Sequence, residues 1–432
     1  MKREVWKKSR IGQIGQIISG GTPSTEISSY WNGTIPFVTP DDLSRSKSAY
    51  LDTTTRTITI WGLNNSSANL LPADTIIIST RAPIGYIALS ESECVTNQGC
   101  KSVVLNKEEI PLFHYYNIHK YVEMMKRLGV GTTFSEISKK DLEKIEIFYP
   151  ESLTEQSRIA SILSSCDDTI RTTQAVIDKY KAIKQGMMRD LFTRGLAADG
   201  TLRPSYEQQP ELYKPSELGM IPKDWDVKTL DSVGIIVSGG TPSTEVKDYW
   251  DGIIPFITPY DLSFCINKFI NKTERKITKE GFRNSSGNLL PKGSLVISTR
   301  APIGYMAINQ EESVTNQGCK SIIFNQNQHV IFHYYNLQNY IDVLKRYGSG
   351  TTFMEISKKD LERIKVCCPN SDENGCKEQQ AVADRLSAID AAISSEEALL
   401  AKYQAVKQGL MDRLLTPPAD AVIEDETEGA HV

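Results

Sequence analysis

The sequence predicts an α+β protein in which two duplicated globular domains are joined by a long antiparallel two-helix coiled coil, with pseudo-two-fold symmetry. Three observations carry this expectation. The octet STRAPIGY at Ser79–Tyr86 returns letter for letter at Ser298–Tyr305, 219 residues later. Each copy mixes short β-branched runs with stretches of helical spacing. Each copy is followed by a segment whose apolar residues recur in alternating steps of three and four.

The repeat covers nearly all of the chain. Trp6 maps onto Trp225, GGTPSTE at 20–26 onto 239–245, and VTNQGCKS at 95–102 onto 314–321. FHYYN at 113–117 recurs at 332–336, GTTF at 131–134 at 350–353, and EISKKDLE at 136–143 at 355–362. A period this long exceeds the roughly 20–50 residues of a solenoid unit. Residues 1–150 and 225–370 therefore read as two copies of one domain. TIIIST, SVVL and KIEIFYP in the first copy, with LVISTR, SIIF and RIKVCCP in the second, read as strands. FHYYNIHKYVEMMKRLG reads as one helix stopped by Gly129.

Residues 151–196 and 371–415 read as two spacer helices, each about 60 Å long at 1.5 Å per residue. The helical seams match at an offset of 223, so a four-residue insertion is expected near Pro369–Cys376, in a loop. The first seam is interrupted by Thr173 and Lys184, the second by Glu396 and Lys407. In an antiparallel pair with Ile177 facing Tyr403 and Tyr180 facing Leu400, Lys184 falls opposite Glu396 and Thr173 opposite Lys407. Polar pairs of this kind fix register at some cost in stability. Residues 197–224 read as an ordered linker, and the acidic 416–432 as a disordered tail.

Composition excludes several classes. The 432 residues are 40% hydrophobic and 24% charged, with a net charge of −4. No apolar run approaches the roughly 18–20 residues that span a bilayer. The basic start MKREVWKKSR has no apolar core behind it, and the eight cysteines show no C-x-x-C spacing. A cytoplasmic location is expected. The weak net charge leaves three possibilities: no nucleic acid is bound, the positive charge is local, or a partner supplies the rest.

Motifs of catalysis are missing. There is no phosphate-binding G-x-x-x-x-G-K-[ST] or G-x-G-x-x-G, no G-x-S-x-G elbow, and no His or Cys set at metal-ligand spacing. A metal site is not expected; His114 and His333 read as half-buried helix histidines. The Gly pairs before Thr22 and Thr241 read as loop turns. What remains is a set of loops rich in groups that contact bases and phosphates. Arg81 and Arg300 sit in a Pro/Gly-framed turn after a strand. Asn97, Gln98 and Lys101 share one turn, as do Asn316, Gln317 and Lys320. Thr132, Thr133, Lys139 and Lys140 follow, matched by Thr351, Thr352, Lys358 and Lys359. Asn and Gln pair with adenine, Arg with guanine, Lys with phosphate. Ser138-x-x-Asp141 reads as a capping box opening a helix whose N-terminal amides favour an anion. Each group also has a structural alternative: an intradomain ion pair for Arg81, a held turn for Asn97 and Gln98, a solvated face for Lys139 and Lys140.

Taken together, GGTPS, YW-x-G-x-IPF, STRAPIG, TNQGCKS and G-x-TF-x-EISKKDL in each half resemble the specificity (S) subunit of type I restriction–modification systems. YKPSELGMIPKDW at 213–225 also resembles the segment opening the second half in that family. The resemblance runs from about Trp6 to Leu415. It implies two target recognition domains, each reading one half of a bipartite double-stranded DNA target, and helices that set the spacing and bind two modification (methyltransferase) subunits. It implies no catalytic centre and no cofactor in this chain; S-adenosylmethionine belongs to the modification subunits, ATP and Mg to the restriction subunits. Similar copies then imply related half-sites, differing where DDLSRSKSAYL faces YDLSFCINKFI and where Asn64 faces Arg283. A stand-alone methyltransferase, a protein scaffold that binds no DNA, and a type IIB-like assembly stay open alongside it.

Overall fold

The computed structural model describes residues 5–129, 136–265, 267–348 and 355–427. The chain divides into two compact units, Met1–Ile177 with Glu396–Val432, and Asp178–Ser395. In the first unit, a five-stranded sheet has the order Gly15–Ser19, Cys100–Leu105, Ile76–Ser79, Ile87–Ser90, Tyr50–Leu51. A second sheet has the order Arg56–Ile58, Trp31–Val38, Val95–Thr96. The run TIIIST lacks polar alternation because both faces of its strand are buried. Ile76 and Ile78 enter one core with Phe113, Tyr116 and Leu163, and Ile77 enters another with Val38, Leu43 and Cys100.

The second unit repeats this plan. Its five-stranded sheet runs Gly234–Ser238, Cys319–Phe324, Leu295–Ser298, Met306–Asn309, Phe269–Ile270. Leu295 and Ile297 again face one core, and Val296 the other.

The segment expected as one helix ending at Gly129 is two helices, Pro111–His119 and Val122–Leu128. Tyr121 leaves helical geometry between them, at φ −97° and ψ 7°. Its hydroxyl accepts the Phe148 amide at 3.1 Å, which pins the ring to the neighbouring strand and turns the second helix.

The long helices span Leu153–Thr193 and Glu373–Leu414. Of the four inserted residues only one lengthens the loop, which is 151–152 in the first unit and 370–372 in the second; the other three extend the start of the second helix, at Glu373. Asp372 Oδ1 accepts the Gly375 amide there at 2.7 Å, satisfying a free N-terminal donor. Within each unit, one end of each helix closes on the same domain core. In the first unit these are Ile159, Ala160 and Leu163 with Leu410, Met411 and Leu415. In the second they are Met187, Leu191 and Phe192 with Val382, Ala383 and Leu386. Advancing along one helix means receding along the other, so the pairing inside each unit is antiparallel.

The polar partners along the helices differ from those predicted. Lys184 does not pair with Glu396 but with Asp390, at 2.7 Å. Lys407 pairs with Asp167 rather than facing Thr173, whose hydroxyl donates back to the Thr169 carbonyl at 2.8 Å. The physical reason is a third partner. Asp167 accepts from the Tyr116 hydroxyl, and Asp390 from that of Tyr335. The helix contact is thus set together with the domain that each helix end covers, and these aspartates lie one step off the apolar seam.

The tail is also corrected. Val422–Asp425 forms a strand parallel to Val5–Arg10, which pairs on its other side with Glu146–Pro150. Two lysines draw the acidic segment in: Lys7 meets Glu426 at 2.8 Å and Lys8 meets Asp425 at 3.2 Å. In the linker, the hairpin Tyr213–Ser216 with Gly219–Pro222 is ordered. Buried Arg203 holds the linker to Glu378 at 2.6 Å.

Candidate nucleic-acid interface

Four loops converge at one end of the first domain. The Thr80 and Arg81 amides both donate to the Gly99 carbonyl, at 2.8 and 3.2 Å, which joins the STRAPIG turn to the TNQG turn. The Ile137 amide donates to Thr80 at 2.9 Å and brings in the EISKK segment. Gly21 donates to Thr96 at 2.8 Å, adding the GGT turn. Gly20 is glycine because of this approach: a Cβ there would lie 1.9 Å from the Asn97 carbonyl oxygen. Gly239 meets Asn316 at the same 1.9 Å. The paired glycines thus serve loop packing, as read from sequence.

At the centre is a charged triad. Arg81 Nε donates to Glu136 Oε2 at 2.8 Å, and Lys101 Nζ donates to Oε1 at 3.0 Å. Burial pushes the Glu136 carboxyl up, but the hydrogen bonds from Arg81 and Lys101 outweigh it and hold the group below the usual carboxylate range. Two cations share one anion, leaving a single positive charge. The Arg81 side chain is 54% exposed and that of Lys101 only 6%, so the charge is presented by Arg81. Its terminal guanidinium nitrogens have no bond among the described residues, and the Nε bond fixes the plane of the fork.

The second domain repeats the triad as Arg300, Glu355 and Lys320, again at 2.8 and 3.0 Å. Gln98 is exposed beside Arg81, its Oε1 held by the Thr22 hydroxyl; Thr241 holds Gln317 in the same way. The amide nitrogen of each glutamine is left as a donor.

Comparisons with known proteins place this arrangement. The family model described as type I restriction modification DNA specificity domain matches residues 3–182 and again 222–404. The chain belongs to this family. It is 28% identical over 374 residues to the type I restriction enzyme MjaIX specificity subunit of Methanocaldococcus jannaschii, covering 84% of this chain and 83% of that one. It is 26% identical over 428 residues to the MjaVIII specificity subunit of the same organism, covering 96% and 92%. A crystal structure of the type I restriction–modification S subunit from M. genitalium shares the fold, with a TM-score of 0.61 at 16% identity over 97% of this chain and 98% of that one.

Within this S-subunit fold, the residues singled out from sequence separate into groups. Arg81, Gln98 and Thr22 lie together at the converging loops of the first domain, and Arg300, Gln317 and Thr241 at those of the second. Asn97 and Asn316 are partly committed: each Oδ1 accepts the amide two residues on, at 3.0 Å. Lys101 and Lys320 are corrected. Both are buried, with their ammonium groups bonded to the glutamates rather than presented to solvent. Lys139, Lys140, Lys358 and Lys359 are exposed beside the site on five-residue helices, with Lys139 3.7 Å from Glu143 and Lys358 3.6 Å from Glu362. Ser138 and Ser357 cap those helices by accepting the Asp141 and Asp360 amides at 3.1 Å, so these amides are satisfied internally. Thr132, Thr133, Thr351 and Thr352 lie outside the described residues.

Sequence reasoning missed Glu136 and Glu355. The available signal was a glutamate opening EISKKDLE in both copies, at the same spacing from the Arg and the Lys in each, 55 and 35 residues. His114 and His333 are fully buried rather than half-buried. Among the described residues, no group of three or more His, Cys, Asp or Glu could hold a metal ion. No helix among them is long and apolar enough to cross a membrane.

Proposed function

We propose that this chain is the DNA-recognition subunit of a type I restriction–modification enzyme, each domain reading one half of a bipartite duplex target. The observation that carries the reading is the duplicated triad, in which Glu136 or Glu355 aims an exposed arginine beside an exposed glutamine. Arginine pairs bidentately with guanine in the major groove, and glutamine with adenine. The antiparallel helices set the distance between half-sites and dock two modification subunits, which supply S-adenosylmethionine. Restriction subunits supply ATP and Mg chemistry. The chain itself contributes binding and no catalysis. A related solved system, with a TM-score of 0.56, is described in terms of complex assembly and conformational transition of a type I system, which supports an assembly of this kind.

The test is duplex binding by the complex with modification subunits. Arg81→Ala and Arg300→Ala should each weaken binding by roughly 1–3 kcal/mol and relax selection at one position of one half-site. Wild-type binding should fall steeply with salt. Unchanged affinity in both variants, or salt-independent binding, would refute the reading.

A further inference from the structure

The two domains carry opposite surface chemistry on one matched mount. In the first, the helix Pro40–Arg45 presents Asp41 and Arg45, joined at 2.6 Å and 75% and 56% exposed in their side chains. In the second, the helix Pro259–Ser263 and the residue after it present Tyr260 and Phe264 at the equivalent places. These rings are 57% and 67% exposed and lie against each other, with centroids 4.7 Å apart.

The mount is rigid in both. Thr258 donates its amide to Asp261 Oδ2 at 2.8 Å, and Asp261 Oδ1 accepts the Glu274 amide at 2.7 Å. Asp42 does the same with Thr39 and Thr55, both at 2.9 Å. The mount also abuts the candidate interface. A Cβ on Gly318, in the TNQG turn, would lie 2.9 Å from Pro259 Cγ, and Tyr260 follows directly. Two large rings held in water have no packing role inside their own domain, where the buried Leu262 fills the core side of the helix. Contiguous exposed rings on a fixed support mark a contact surface.

We propose that Tyr260 and Phe264 are specificity-determining residues of the second domain, making apolar contact with the 5-methyl group of a thymine in its half-site. The first domain has an ion pair in this position and reads no methyl group there. The inference rests on the DNA-recognition reading above and adds which base feature separates the two half-sites. Thymine is the base whose major-groove edge carries a methyl group, and apolar side chains read it.

Adenine methylation mapped in cells expressing the intact chain with its modification subunits tests this. In wild type, one half-site should contain a T·A pair where the other has a different pair. Tyr260→Asp with Phe264→Arg, which installs the first domain's pair, should abolish selection at that position and leave the other half-site unchanged. An identical motif in the variant overturns the inference, as does a second half-site whose only T·A pair is the methylated one. If the variant methylates nothing, wild-type complex is titrated with duplex carrying uracil in place of that thymine. Binding about fourfold weaker supports the contact, and equal binding overturns it. Absence of any sequence-specific methylation in wild type instead removes the DNA-recognition reading itself.

Discussion

The loop clusters of the two domains are the same bond for bond, with Arg–Glu at 2.8 Å and Lys–Glu at 3.0 Å in each, whereas the anchors beneath them have diverged. Trp225 donates its indole N–H to Glu378 at 3.1 Å, but that of Trp6 is buried without a partner among the described residues. Glu378 also takes Arg203 at 2.6 Å and the Leu196 amide at 2.7 Å. Its counterpart on the first long helix, Glu155, pairs among the described residues with Arg158 at 3.4 Å, their side chains 26% and 70% exposed. Buried His333 meets Gln328 at 2.7 Å, while His114 meets the carboxylate of Glu109. The presenting face is held constant while the attachments adapt to different neighbours: a linker in one unit, a C-terminal strand in the other.

The anchors give the largest expected effect. Glu378→Ala leaves buried Arg203 without its main partner and should destabilise the chain by about 3–5 kcal/mol. Glu155→Ala should cost less than about 0.5 kcal/mol. Denaturant unfolding of the two variants checks the contrast, and equal losses would erase it.

Acid sensitivity comes next. Burial lowers the His333 pKa to about 3, with His329 and Lys228 adding to the effect. Above the unfolded value near 6.5 neither state binds the proton, so there is no penalty. Below it, the unfolded chain protonates while the native ring stays neutral, so stability falls as pH drops from 6.5 toward 3, by about 2 kcal/mol at pH 5. His119 in the first unit, lowered to about 4 chiefly by burial, acts in the same direction. Gln328→Glu copies the first domain's partner and favours the imidazolium, so it should flatten the loss measured between pH 7 and 5. An unaltered pH profile would show that residue 328 does not govern the response of His333.

The aspartates that key each domain to the helices sharpen the comparison further. Asp390 faces two cations, Lys184 at 2.7 Å and Lys268 at 3.8 Å, whereas Asp167 faces Lys407. Asp390→Asn leaves two lysines together and should cost about 1–2 kcal/mol, with Asp167→Asn roughly half that. Thermal unfolding of each variant measures the ratio.

How much of this was legible in the sequence depended on distance along the chain. The duplication, the strands around Ile76–Ser79 and Leu295–Ser298, and the two long helices could be read from letters and period. Lys184 and Lys407 stood out as polar breaks in the seams, yet their partners did not, because Asp167 and Asp390 sit off the seam and are fixed by Tyr116 and Tyr335 from elsewhere. Lys101 looked like a phosphate ligand because local sequence does not show that Glu136, 35 residues on, covers it. The tail looked disordered from composition alone. Its acidic residues are ordered by Lys7 and Lys8 at the other end of the chain. Contacts that need the tertiary path stayed hidden, and those set by local pattern did not.

The proposed function has two matched faces read two related half-sites. Genome-wide mapping of methylated adenine in cells carrying this chain and its modification subunits measures that directly. The predicted result is a motif split by a non-specific gap, with its halves similar when read in inverted orientation. A continuous motif, or two halves sharing no bases, would contradict it.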